Sequence, residues 1–140
     1  EAPAVAQDEK TNRGPMGDAL MLKAATLGRT WWEVAGTWAQ VGMAEYRLVF
    51  TRLAMGHPVL AVEHALNYLD LCQKNQAEPA DLFYAHEAMA RAQFAAGDPV
   101  MAQAHVDMAR ETLGRITDAD SAKSAQETLT KLNDAVSAGR

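Results

Sequence analysis

A nine-residue segment of this 140-residue chain occurs twice, and this repeat constrains the fold more than any other feature of the sequence. Residues 56–64 read GHPVLAVEH and residues 97–105 read GDPVMAQAH, with Gly, Pro, Val, Ala and His at the same offsets and a spacing of 41 residues. Glycine readily adopts the left-handed conformation that ends a helix, and proline suits the first turn of the next helix. The repeat therefore predicts two copies of one unit, made of a helix, a tight turn and a second helix.

The turns and the connection between the two units can also be predicted. Asp98 is a favourable helix N-cap, because its carboxylate accepts a hydrogen bond from a backbone N–H of the first turn, whereas His57 at the equivalent position is a weaker one. Residues 73–80 read QKNQAEPA, which is polar and contains Pro79. This segment predicts a loop between the units that is longer than a minimal hairpin turn.

The N-terminal third of the chain divides into a tail and a short helix. Residues 1–14 mix charged residues with Pro and Gly and have no apolar period, which predicts a flexible tail followed by one domain over residues 15–140. From Pro15 to Leu27 apolar residues recur at helical spacing, and Gly28 stands where a C-terminal cap belongs. The members of this apolar stripe are Met16, Ala19, Leu20, Ala24 and Leu27.

A long helix is predicted next. Thr30 and Glu33 have the spacing of a capping box, and no proline follows before Met55, so we expect one helix from Thr30 to Met55. Several small residues in it would let a neighbouring helix approach closely. They are Ala35, Gly36, Ala39 and Gly42.

The last helix is expected to begin at Thr117–Asp120 and to be apolar on one narrow side only. Its stripe consists of Ala122, Ala125, Leu129, Leu132 and Val136. A helix with one apolar side and a broad polar side is typical of the element that closes the end of a helical stack.

Repeated helical hairpins with Gly at the turn and Ala five residues later resemble tetratricopeptide repeats. The resemblance covers about residues 43–113, although the 41-residue period is longer than the 34 residues of that family. Residues 82–132 also resemble small bacterial proteins of this type, which implies no activity. The resemblance implies an all-α fold in which antiparallel helical hairpins stack as a short superhelix closed by the C-terminal helix.

The resemblance also implies a function, since tetratricopeptide-like proteins bind peptides or partner helices in a groove. The matching positions would form the partner-binding wall, and they are Tyr46, Phe50, Tyr84, Glu87 and Arg91. From the residues alone, we expect Trp31 and Trp38 to share one helix face, while Trp32 points elsewhere and is a candidate anchor for a partner or a second copy of the chain. The other interpretation is that all three tryptophans fill the core or seal the junction between the first helices and the repeats. We therefore expect a binding or scaffold module whose partner is a protein, a peptide or the chain itself.

Composition limits the other function classes. Thirteen basic and eighteen acidic residues give a net charge of −5, which disfavours nucleic acid as a partner. No apolar run approaches the ~18 residues of a membrane span, so we expect no membrane partner and a cytoplasmic protein, although a signal peptide removed from the N-terminus would change the compartment. Cys72 is the only cysteine and is interpreted as a small buried apolar residue.

The candidates for chemistry are few. His64 and His105 recur together with structural residues, which favours a structural role such as hydrogen bonding across each hairpin. The alternative hypothesis is a small-molecule or metal-binding bundle, with or without catalysis, centred on Glu45, His64, His86 and Glu87. No zinc-protease motif, nucleotide-binding glycine loop or nucleophile motif accompanies these residues. We therefore expect no catalytic residues, no metal, no cofactor and no enzymatic activity.

Overall fold

The computed structural model describes residues 37–138, and this part of the chain contains five α-helices and no β-strand. The helices are α1 (Trp38–Ala54), α2 (Pro58–Lys74), α3 (Pro79–Ala95), α4 (Pro99–Leu113) and α5 (Ala119–Ala138). The prediction of an all-α fold is confirmed. The predicted tail, the helix expected at Pro15–Leu27, and both Trp31 and Trp32 lie outside the described residues.

The 41-residue repeat is a repeat of structure. The first helices of the two hairpins begin at Trp38 and Pro79, and the second helices begin at Pro58 and Pro99, so each pair of starts has the same spacing as the repeated sequence. α1 with α2 and α3 with α4 therefore form two equivalent hairpins.

The two corners of the hairpins have the same backbone geometry. Gly56 and Gly97 both have a left-handed conformation, with φ of 77° and 87°. The residue after each glycine donates its N–H to the carbonyl five positions earlier. His57 donates to Arg52 at 2.8 Å, and Asp98 donates to Gln93 at 2.9 Å. This is the Schellman arrangement, in which a left-handed glycine lets the chain leave a helix while the last carbonyls keep their hydrogen bonds.

The N-caps of the second helices differ as expected. Asp98 accepts a hydrogen bond from the backbone N–H of Met101 at 3.1 Å, whereas the His57 side chain makes no capping bond. Asp98 thus satisfies one backbone donor in the first turn of α4. In the first turn of α2 the equivalent donor depends on water or packing, so the second corner is better capped.

The prediction of one helix from Thr30 to Met55 is wrong at its start. The helix begins at Trp38, because Thr37 has an extended backbone, with φ −99° and ψ 169°, and acts as the N-cap. The backbone N–H of Thr37 donates to the side-chain oxygen of Gln40 at 2.9 Å, so the capping box lies seven residues after the one expected.

The predicted loop over residues 73–80 is too long. α2 continues to Lys74, and Pro79 is the first residue of α3, which leaves residues 75–78 as the connection. Pro79 belongs to the helix because its fixed φ is helical and its missing N–H would have no partner in the first turn.

Most buried apolar residues of the described helices belong to two clusters, one on either side of α3. The first fills the space between α1, α2 and α3, and its buried members are Val49, Ala61, Ala65, Tyr68, Leu69, Cys72, Ala85, Ala88, Met89 and Ala92. The second joins α3, α4 and α5 through Phe83, Ala90, Ala102, Val106, Ala109, Ala125, Leu129, Leu132 and Val136. Trp38, the one tryptophan within the described residues, is half-buried against the first cluster.

The C-terminal helix closes the second hairpin as predicted. Asp118 accepts a hydrogen bond from the N–H of Ser121 at 2.9 Å and so caps the start of α5. α5 packs against both α3 and α4, just as α3 packs against α1 and α2. It therefore occupies the position that the first helix of a third hairpin would take. Four residues of its apolar stripe are buried and Ala122 is half-buried; the buried ones are Ala125, Leu129, Leu132 and Val136.

Two of the four small residues expected to permit close helix packing are described by the structure, and Gly42 has this role. Gly42 is buried on α1, and a Cβ atom built there would lie 3.0 Å from two ring carbons of Tyr68 on α2. Ala39 is exposed instead, and Ala35 and Gly36 lie outside the described residues.

Candidate functional site

Five of the residues expected to bind a partner lie close together where the two hairpins meet. Tyr46 and Phe50 are on α1, and Tyr84, Glu87 and Arg91 are on α3. The ring centre of Tyr46 is 4.9 Å from that of Phe50 and 6.2 Å from that of Tyr84, both in edge-to-face geometry. We call these five residues the α1–α3 cluster.

A hydrogen bond across the hairpin boundary organises this cluster. The Tyr46 hydroxyl donates to Oε1 of Glu87 at 2.7 Å. Burial, the negative charge of Glu87 and this hydrogen bond all raise the pKa of Tyr46, so its hydroxyl keeps its hydrogen and remains a donor. The bond therefore ties the first hairpin to the second.

The second oxygen of Glu87 is also bonded. Arg91, one turn further along α3, donates from Nε to Oε2 of Glu87 at 2.7 Å. Only 4% of the Glu87 side chain is exposed, compared with 26% of the Arg91 side chain. A carboxylate this deeply buried needs a countercharge, and Arg91 provides it from the edge of the cluster.

The cluster has both a buried and an accessible part. Glu87 is buried, whereas Tyr46, Phe50, Tyr84 and Arg91 are each half-buried. Polar groups of the cluster thus hold the hairpins together, while the three aromatic side chains and Arg91 remain partly exposed. The sixth expected binding residue, Trp32, lies outside the described residues.

The two repeated histidines hydrogen bond across their hairpins, as predicted. In the first hairpin, Nδ1 of His64 on α2 lies 2.8 Å from Oε1 of Glu45 on α1. Asn67, also on α2, donates to the other oxygen of Glu45 at 3.2 Å. The fully buried Glu45 carboxylate is therefore bonded to two side chains of the neighbouring helix.

In the second hairpin the equivalent positions hold two histidines. Nδ1 of His86 lies 3.1 Å from Nδ1 of His105, and the rings are stacked with centres 5.3 Å apart. Burial first, and then the proximity of His105, lower the pKa of His86 to about 4, and burial also lowers the pKa of His105. Both rings are therefore neutral near pH 7, with one Nδ1 donating its hydrogen and the other accepting it.

The four residues of the alternative site do not converge. Glu45 pairs with His64, His86 pairs with His105, and Glu87 is bonded to residues of the α1–α3 cluster. Within residues 37–138, no group of three or more His, Cys, Asp or Glu side chains is placed to hold a metal ion. Among the described residues, the hydrogen bonds divide these four side chains among three separate contacts.

Two contributors were missed by the sequence reasoning. Asn67 lies three residues after His64, so helical spacing alone would have placed it near the same partner. Tyr68 is buried with its ring centre 5.8 Å from that of Tyr46, and no local signal identifies it because the contact joins α1 to α2.

Cys72 is confirmed as a buried apolar-type residue. It belongs to the first core cluster, and burial raises the pKa of its thiol to about 12. A thiol that stays protonated near pH 7 is a poor nucleophile, so this residue is chemically inert in the folded protein.

Comparison of this chain with protein-family models, with curated proteins and with solved structures finds no match. Among the helices of residues 37–138, none is both long and apolar enough to cross a bilayer.

Proposed function

We propose that this chain is a protein-interaction module that binds a peptide or a partner helix along the face formed by α1 and α3. The observation that carries the proposal is the α1–α3 cluster, in which half-buried aromatic rings and an arginine meet at the boundary of two repeated hairpins. Partially exposed Tyr and Arg side chains in a rigid setting are the residue types that dominate binding energy at protein interfaces.

The chemistry of the cluster indicates what the partner presents. Within residues 37–138, Arg91 is bonded to Glu87 through Nε alone, so its two terminal amino groups can donate to carbonyl or carboxylate oxygens of a partner. The ring edges of Tyr46, Phe50 and Tyr84 suit an apolar or aromatic side chain. A peptide with an apolar anchor next to an acceptor oxygen fits both features.

Preorganisation supports the same proposal. The Tyr46–Glu87 and Arg91–Glu87 bonds fix three side chains before any partner arrives, so less side-chain entropy is lost on binding. These side chains lie on two helices rather than on a loop, and the rigid helices keep the distances between them constant.

Selection from a phage-displayed library of random peptides tests the proposal. Peptides selected on the wild-type chain should bind Arg91→Lys about tenfold or more weakly, because lysine keeps the charge beside Glu87 but loses the planar donor geometry. Val100→Ser is the matched control, since Val100 is an exposed apolar residue on α4. The Val100→Ser variant should bind the selected peptides as tightly as the wild type does.

Two results would count against this binding face. One is a library that yields no peptide binding the wild-type chain. The other is a set of peptides that bind Arg91→Lys normally and lose affinity with Val100→Ser, which would assign binding to the outer helices.

A further inference from the structure

One side of α1 carries buried side chains that belong to neither core cluster. Ala44, Leu48 and Thr51 are only 6%, 1% and 5% exposed. Among the described helices, α1 packs against α2 and α3, and its contribution to the buried part of the first core cluster is Val49. Ala44 and Leu48 belong to neither core cluster, so the apolar contacts that define those clusters do not account for their burial.

The repeat identifies what kind of element this is. The residues of α3 that are 41 positions after Ala44, Leu48 and Thr51 are Ala85, Met89 and Ala92. These three α3 residues are in the first core cluster, where α2 covers them. By this equivalence, the buried side of α1 should be covered by an element placed as α2 is placed on α3.

The sequence before α1 contains side chains in the matching positions. The core-facing residues of α2 are Ala61, Ala65, Tyr68, Leu69 and Cys72. Forty-one positions earlier stand Leu20, Ala24, Leu27, Gly28 and Trp31. These residues are apolar or small throughout, and three of them belong to the apolar stripe expected at Pro15–Leu27.

We propose that the Ala44–Leu48–Thr51 side of α1 is the docking surface for residues 17–33 of the same chain, which cover it as α2 covers α3. The connection lengths agree, because four residues separate α2 from α3 and residues 34–37 would separate this segment from α1. The assignment extends the repeat by half a unit towards the N-terminus and does not depend on peptide binding at the α1–α3 cluster.

Thiol labelling of the full chain tests this docking. Cys72 is buried and unreactive, so Thr51→Cys introduces a single thiol that reports cover at this surface. Ala92→Cys is the matched control, since Ala92 is the equivalent position under α2. In the otherwise native chain, both thiols should react with a disulfide reagent much more slowly than a thiol placed at the exposed Ala39.

The occupant is identified by adding Leu20→Ala and Leu27→Ala. The labelling rate of Thr51→Cys should then rise about tenfold or more, because shortening buried side chains promotes local opening, while the rate of Ala92→Cys stays within about twofold. Fast labelling of Thr51→Cys in the native chain, no response to the leucine changes, or an equal rise at both thiols would each overturn the proposal. Protection of Thr51→Cys that depends on protein concentration would assign the surface to a second copy of the chain and would overturn it as well.

Discussion

The buried polar residues of the two hairpins occupy equivalent positions but use different chemistry. Glu45 and His86 are equivalent on the first helices, and His64 and His105 are equivalent on the second helices. The first pair joins a carboxylate to an imidazole, whereas the second joins two neutral imidazoles. In the second pair the pKa values of both rings are lowered, so this pair is expected to make the protein sensitive to acid.

Acid should destabilise the protein through the second pair. The pKa of His86 is about 4 in the folded protein against an ordinary value of 6.5, so the unfolded chain binds protons more strongly. The stabilisation is complete above about pH 6.5 and is lost as the pH falls towards 4. Between pH 7 and pH 5, His86 alone should lower the free energy of unfolding by about 2 kcal/mol, measurable by urea denaturation.

Replacing one histidine should reverse this response. In His86→Glu, the second hairpin acquires the pair found in the first, and the new carboxylate should raise the pKa of His105 above 6.5. That stabilisation is present at pH 5 and is lost as the pH rises through the folded pKa, opposite to the wild type. His86→Gln removes the titrating ring without adding charge and should lie between the two. Equal pH dependence in all three proteins would contradict the role given to this pair.

The Tyr46 hydroxyl is expected to stabilise the contact between hairpins. Tyr46→Phe removes the donor to the buried Glu87 carboxylate and should lower the free energy of unfolding by about 1.5–3 kcal/mol, the usual range for a hydrogen bond to a charged group. Tyr84→Phe is the control, because the Tyr84 ring packs against its neighbours while no described residue is hydrogen bonded to its hydroxyl. A change of less than about 0.5 kcal/mol is expected there. Equal losses in the two variants would refute the assigned bond.

At the scale of elements, the corners are where the local sequence determines structure most strongly. Gly97 has φ 87° and nothing within 4 Å of the position that a Cβ would take, so a side chain there meets backbone strain but no clash. Gly97→Ala should therefore cost about 1–2 kcal/mol of stability. Gly97→Asn should cost less, because asparagine enters the left-handed region more readily. Thermal denaturation of both variants checks the order, and a tolerated alanine would show that the corner does not depend on this glycine.

The helix start at Trp38 shows where local rules fail. Thr30 with Glu33 and Thr37 with Gln40 both have capping-box spacing, so the motif alone does not choose between them. The corners could be predicted because Gly and Pro restrict the backbone directly at those positions. Local rules do not determine the boundaries of the 75–78 connection either, because Pro79 is compatible both with a loop and with a first helical turn.

At the scale of the molecule, long-range contacts set the candidate site. Tyr46 and Glu87 are 41 residues apart, and nothing in the neighbourhood of either residue identifies the other as its partner. Their grouping was expected only from the resemblance to tetratricopeptide repeats, and the stacking of hairpins brings them together. The alternative grouping of Glu45, His64, His86 and Glu87 rests on residue type alone. Helix geometry separates two of its members, because the adjacent residues His86 and Glu87 point towards different helices.

The most direct test of the proposed binding face is amide chemical-shift mapping of the wild-type chain with a library-selected peptide. Binding along α1 and α3 should shift the resonances around Tyr46, Phe50, Tyr84 and Arg91 and leave those near the exposed Val59 and Val100 unchanged. Shifts concentrated on α2 and α4, with the α1–α3 cluster unaffected, would contradict the proposal.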